Sequence, residues 1–125
     1  PSKPAHLIAY EALEELNERE LIKKGKVREY YTGLSDIVRR YLENRFELRA
    51  PEMTTEEFLA KTKETEELSS EHKGLLKNFM SHCDLVKFAE MQPDEAEIQQ
   101  TFDACKRFIM ETASEEASIP QASAA

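Results

Sequence analysis

The chain is predicted to be all-α, an irregular bundle of about five helices, and three observations carry that reading. One segment keeps apolar residues at i, i+3, i+4 and i+7 for four turns, which is the helical period. No segment alternates with period two, and there is no Asn-Gly or Asp-Gly hairpin turn. Capping signals also precede several of the apolar-periodic runs. A single domain is expected over residues 4–112, with a flexible tail over 113–125.

The first helix is predicted from about Pro4 to Glu20. Pro4 suits a first helical turn, where a missing N–H costs nothing. Ala9, Leu13 and Leu16 form a stripe widened by Ile8 and Ala12, while Glu11, Glu14, Glu15 and Glu18 face water. Lys23-Lys24-Gly25-Lys26 reads as the stop, with cations near the last carbonyls and Gly25 available for a left-handed cap.

The second helix carries the clearest periodicity: Val27, Tyr30, Tyr31, Leu34, Ile37, Val38, Tyr41 and Leu42, extended by Phe46. Gly33 inside it costs about 1 kcal/mol of helix propensity relative to Ala, and a close helix crossing is one reason to keep it. The pattern ends near Arg45, before Pro51 forces its predecessor out of the helical region.

Thr54-Thr55-Glu56-Glu57 is a capping box that opens a short third helix with Phe58 and Leu59 as its apolar face. Ser69-Ser70 supplies the next N-cap, and a fourth helix follows with Leu75, Leu76, Phe79, Met80 and Cys83 on one side. Leu85 to Ala89 either continues that helix or forms a connector, and Pro93 ends the stretch. Asp94 with Glu97 opens the fifth helix, where Ile98, Phe102, Cys105 and Ile109 fall in line. The tail from about Ala113 to Ala125 is Ser/Ala-rich, lacks periodicity and is expected to be disordered. The expected core comprises Leu13, Leu16, Tyr30, Leu34, Ile37, Tyr41, Phe58, Leu76, Phe79, Phe102 and Ile109.

Composition narrows the functional classes. The 125 residues carry a formal charge of −8, which disfavours nonspecific nucleic-acid binding because that depends on phosphate neutralisation by Lys and Arg. No apolar run approaches the roughly 20 residues of a transmembrane helix. Two cysteines cannot build a secreted-type disulfide framework and suit a reducing compartment. The chain opens at Pro1 without Met or signal peptide, so it is expected to derive from something longer, with any targeting information upstream.

Chemical motifs are sparse. His6, His72, His82, Cys83 and Cys105 are the soft ligands, but no C-x-x-C or H-E-x-x-H spacing is present. His82 and Cys83 diverge by about 100° on a helix, so sharing one ion is awkward. Both cysteines lie on apolar stripes and read as small hydrophobes. His72 and His82 are expected on the solvated side of the fourth helix. The paired glutamates read as acidic surface or caps, and three isolated glycines exclude both G-x-G-x-x-G and a P-loop. No catalytic residue, metal ligand or cofactor site is assigned.

Charge is distributed unevenly. Between Ile22 and Ala50, eight basic residues against four acidic ones give +4, which leaves −12 on the remainder. Lys23, Lys24, Lys26, Arg28, Arg39 and Arg40 form a candidate basic interaction patch, either facing an acidic partner or lipid headgroups, or pairing with the acidic helices of the same bundle.

Several stretches together carry a family resemblance: Pro4-Ala5-His6 before Ala12-Leu13-Glu14-Glu15-Leu16; Glu29-Tyr30-Tyr31 with Leu34-Ser35; Arg39-Arg40-Tyr41-Leu42-Glu43 with Arg45-Phe46; Met53 to Leu59; and Asp84 to Ala89. Over about Pro4 to Thr112 the chain resembles the cytosolic helical tail of bacterial membrane proteins of the BatD (aerotolerance-associated) type and related membrane-anchored proteins. The resemblance implies a single-pass membrane protein with a larger extracytoplasmic part and this domain on the cytoplasmic side of the inner membrane. Similar proteins are typically encoded alongside MoxR-type AAA+ ATPases and von Willebrand A-domain proteins, so it implies a protein partner of one of those kinds. It offers no catalytic residues.

The expected function is therefore a non-enzymatic, cytosolic protein-interaction domain, without nucleic acid and touching a membrane only through a segment upstream. The alternative is a helical DNA-binding or regulatory domain in which the second and third helices imitate a helix-turn-helix with Arg39, Arg40, Arg45 and Arg49. Against it, Glu56 and Glu57 would sit where base-contacting residues belong.

Overall fold

The computed structural model describes the backbone of residues 3–48 and 53–124 and the side chains through Ala113. Its order is α1 (Ala5–Glu18), α2 (Val27–Phe46), α3 (Thr55–Lys63), α4 (Ser70–Phe88) and α5 (Glu95–Ala124), with no strand among the described residues. The all-α bundle of five helices is thus the observed architecture. The tail expected to be flexible falls, from residue 114 on, outside the described side chains.

α2 is the hub, because its apolar stripe is wide enough to serve three neighbours. It packs on α1, α4 and α5, whereas the backbone of α3 closely approaches that of α4 and is reached from α2 through the Arg39 side chain. Tyr31, Leu34, Val38, Tyr41 and Leu42 are all buried along α2. Of the expected core residues, Phe102 is half-buried against the cluster and the others are buried.

Gly33 marks where α1 crosses α2. A Cβ built there would stand 2.7 Å from Leu16 Cδ1, so the glycine lets Leu16 lie against the α2 backbone. The predicted close crossing is found.

The chain leaves α1 earlier than expected, at Glu18 rather than Glu20. Glu20 adopts a left-handed φ of 51°, which redirects the chain so that Leu21 is buried. A further turn then closes at Gly25 (φ 75°), with the Lys26 N–H bonded to the Leu21 carbonyl at 2.8 Å. Gly25 is the left-handed cap expected of it, but of this extra turn rather than of α1.

Side chains set the remaining helix starts. The Glu57 N–H donates to Thr54 Oγ1 at 3.1 Å and the Thr54 N–H donates to Glu57 Oε1 at 2.9 Å, completing the capping box of α3. Ser69 Oγ accepts from the His72 N–H at 3.0 Å and opens α4. Asp94 and Glu97 make the same reciprocal pair at α5, at 2.8 and 3.2 Å. The stretch Leu85 to Phe88 continues α4, and Ala89 caps it.

Two hydroxyl relays fasten α2 to α5. Thr101 Oγ1 donates to the Glu97 carbonyl at 2.8 Å, and Thr112 Oγ1 donates to the Phe108 carbonyl at 2.9 Å. The Tyr31 hydroxyl lies 3.2 Å from Thr101 Oγ1, and the Tyr41 hydroxyl donates to the Ile109 carbonyl at 3.4 Å and hydrogen-bonds Thr112 Oγ1. Both pairings advance together along the sequence, so α2 and α5 run in the same direction. α4 runs against α5, because His72 meets Glu111 while His82 shares Tyr31 with Thr101.

Candidate interaction surface

The six residues of the candidate basic patch do not converge. Lys23, Lys24, Lys26 and Arg28 are exposed around the turn into α2. Lys23 reaches Glu20 at 3.5 Å within its own loop, while Lys24, Lys26 and Arg28 make no ion pair with the described residues. Arg40 is exposed, but it lies twelve residues beyond Arg28, about 18 Å along the helix at about 1.5 Å per residue. That exceeds the roughly 8 Å Debye length of physiological salt, so the two ends act as separate fields.

Arg39 belongs to the fold rather than to a patch. Its guanidinium donates to the Met53 carbonyl at 3.0 Å and to Thr55 Oγ1 at 3.3 Å, and it stands 4.9 Å from the centroid of the Phe58 ring. It ties α2 to the entrance of α3. Arg45 is likewise nearly covered, stacked at 4.5 Å on Phe46 and 3.9 Å from Glu67. The helix-turn-helix alternative gains nothing from this arrangement: α3 packs on α4, Glu56 and Glu57 are exposed at its first turn, and Arg49 lies outside the described residues.

The histidines depart from expectation. His72 is buried, not solvated. Its Nε2–H donates to Glu111 Oε1 at 2.9 Å, and its ring meets Phe108 edge-on at 5.9 Å. Arg107 Nε donates to the other Glu111 oxygen at 2.7 Å. Those bonds, Arg107 first and His72 second, hold the Glu111 carboxyl below its usual range. The reason for the burial is geometric, since His72 with Leu76, Phe79 and Cys83 follows the i, i+4, i+7, i+11 spacing of the buried stripe itself. His82 is half-buried at the edge of that stripe. Its Nε2 hydrogen-bonds the Tyr31 hydroxyl at 3.3 Å.

Cys83 and Cys105 are fully enclosed. Burial pushes both thiols up to about 12, far from the thiolate that a nucleophile or metal ligand requires. Among the described residues, no three His, Cys, Asp or Glu side chains are grouped to hold an ion, and no helix is long and apolar enough to cross a membrane.

What stands exposed instead is apolar. Phe88 is 73% exposed and Leu85 48% exposed at the C-terminal end of α4. The Lys87 ammonium stands 5.0 Å from the centroid of the Phe88 ring. Beside them a cleft of about 620 Å³ opens between α2, the start of α3 and α4, lined by Asp36, Met53, Glu56, Asp84 and Lys87. Leu7, Ile8 and Met110 are exposed at other sites. Reading Leu85 to Ala89 as either helix or connector does not disclose this face; the i, i+3 spacing of Leu85 and Phe88, offset from the buried stripe, is the signal that does.

No family model, curated protein or solved structure matches the chain.

Proposed function

We propose that the chain is a non-enzymatic, cytosolic protein-interaction domain of a bacterial membrane-anchored protein, which docks an AAA+ ATPase or a von Willebrand A-domain protein. The observation that carries this reading is the exposed pair Leu85 and Phe88 beside a polar-rimmed cleft. A large aromatic left in water at the end of a well-packed helix suits the apolar centre of a contact surface, where such anchors dominate binding energy. Support also comes from the groups that would otherwise do chemistry. The thiols are held protonated by burial, His72 is engaged by Glu111, and His82 is bonded to Tyr31. The membrane anchor, the compartment and the partner class rest on the family resemblance.

The test is capture of the purified ATPase and the purified A-domain protein encoded beside the gene. Leu85→Ser with Phe88→Ser is expected to abolish capture while leaving the melting temperature nearly unchanged, because both side chains face solvent. Capture of neither partner by the wild-type chain rejects the proposal.

A further inference from the structure

Two glycines sit inside helices, and the fold accounts for only one of them. Gly33 is needed because Leu16 lies where its Cβ would be, whereas a Cβ at Gly74 would meet nothing within 4 Å. Gly74 occupies the second turn of α4, where glycine is the poorest helix former after proline. Nothing within the described protein uses the missing side chain.

Gly74 instead forms part of a groove between α3 and α4 with a volume of about 490 Å³. Leu59 and Ala60 give the groove an apolar lining, and Lys63, Lys73 and Lys77 supply its cations. One carboxylate, Glu56, stands against those three lysines. Lys73 is drawn to the Lys63 carbonyl at 2.8 Å, which holds its ammonium at the C-terminal end of α3. Lys63 and Lys77 make no ion pair with the described residues. In a chain of formal charge −8, this is a local reversal of sign over an apolar recess.

We infer that the α3–α4 groove docks an acidic amphipathic helix of a partner protein. This deepens the interaction reading above and rests on it. Apolar side chains of the partner enter against Leu59, and its backbone passes over Gly74, where the absent Cβ permits close approach. Carboxylates on its two flanks meet Lys63 on the α3 wall and Lys77 on the α4 wall, as in other helix-in-groove complexes with charged rims. A nucleic-acid backbone is a poorer occupant, because its affinity scales with the number of phosphates neutralised and three lysines on an acidic domain neutralise few.

The probe is a fluorescein-labelled peptide of about 14 residues, long enough to form a marginal helix, with leucines at i, i+3 and i+7, glutamates on both flanks and alanine elsewhere. Its counterpart carries glutamine for every glutamate. Fluorescence anisotropy with the full chain is expected to show binding of the acidic peptide, weakened at least about tenfold by Lys63→Glu with Lys77→Glu. Gly74→Leu is expected to abolish binding. Gly74→Ala is expected to raise the melting temperature yet weaken binding, a combination that an internal role for the glycine does not produce. The inference is overturned if the glutamine peptide binds equally well, if the acidic peptide does not bind, or if these variants leave its binding unchanged. It is also overturned if phosphatidylserine vesicles or duplex DNA displace the peptide through Lys63 and Lys77, or if those lysines mediate self-association in sedimentation. Capture of the ATPase or A-domain protein by a chain that binds no peptide rejects the groove and leaves the interaction reading standing. Peptide binding without capture of either protein supports the groove and rejects those two partners.

Discussion

Cys83 and Cys105 lie in the same dry interior, and burial rather than any specific partner pushes each thiol up to about 12. The consequence for reactivity is direct: at pH 8 the native thiols stay protonated and enclosed, so an aromatic disulfide reagent should react slowly with both and rapidly after unfolding. Fast labelling of either in the native chain would contradict their placement. The linkage has a definite sign, because thiols raised in the folded state add stability below their ordinary value near 8.5. That contribution is lost as the pH rises toward about 12. Gly33 offers a second test. Gly33→Ala gains up to about 1 kcal/mol of helix propensity, but it drives a methyl group to 2.7 Å from a Leu16 side chain that is itself buried. Overpacking of this kind costs about 1–3 kcal/mol, so a net loss of about 1 kcal/mol in urea unfolding is expected. A gain would show that Leu16 yields freely.

Among the elements, the α4–α5 clamp has its own pH signature. Glu111 is held low first by Arg107 and then by His72, so its contribution is present above the ordinary glutamate range and fades as the pH falls through its folded value. Melting of the native chain should therefore weaken below about pH 4.3 more steeply than melting of Glu111→Gln, and parallel curves for the two would remove the clamp from the account. The elements differ in how far residue order discloses them. α2 is legible because nine apolar side chains repeat at one period and no other pattern competes. The caps at Thr54, Ser69 and Asp94 are legible because capping is local chemistry between neighbours. α5 is legible in place but not in orientation. Its central stripe is Thr101, Cys105, Phe108 and Thr112, and two of those four bury a hydroxyl that is satisfied by a carbonyl four residues back and by a tyrosine from α2. Counting apolar residues alone shifts the stripe toward Ile98 and Phe102, which the fold leaves half-buried. His72 is misplaced by the same habit. Glu20, Glu47 and Glu90 take left-handed φ values of 51°, 55° and 56° at or just past helix ends, and no local preference of glutamate announces that. Arg39 reads as a surface cation in the sequence because only the folded chain brings the Met53 carbonyl and the Phe58 ring to it. The Lys63, Lys73 and Lys77 groove was invisible for a related reason, since its walls come from two helices.

Across the whole molecule, the charges do not form one dipole with a basic helix at one pole. The four cations at the entrance to α2 stand apart from Arg40, and Arg39 is consumed by the fold. Under the membrane-anchored reading, the 14 residues of α1, about 21 Å long at about 1.5 Å per residue, would lie between the Lys23 to Arg28 cluster and the bilayer. Clustered cations near an anionic leaflet are attracted by about 1 kcal/mol each, while the acidic remainder is repelled. The isolated domain should therefore co-sediment with anionic vesicles weakly at low salt and not at physiological salt. Tight, salt-resistant sedimentation would argue for a membrane-binding surface in place of an oriented tether.

The attachment of α3 has a consequence for how the molecule opens. This helix approaches the backbone of α4 closely, where Lys73 bonds its last carbonyl, and is tied to α2 by the Arg39 guanidinium on Thr55 and Phe58. Its release is expected to unseat Phe58 without separating α1, α2 and α5. Local opening of that kind requires less free energy than global unfolding. Amide exchange over 55–63 should then run ahead of exchange in α2, and raising salt, which loosens charged latches more than buried rings, should widen the gap. A fold that reads as one cooperative block would so contain two units, a slow-exchanging hub and a segment that breathes.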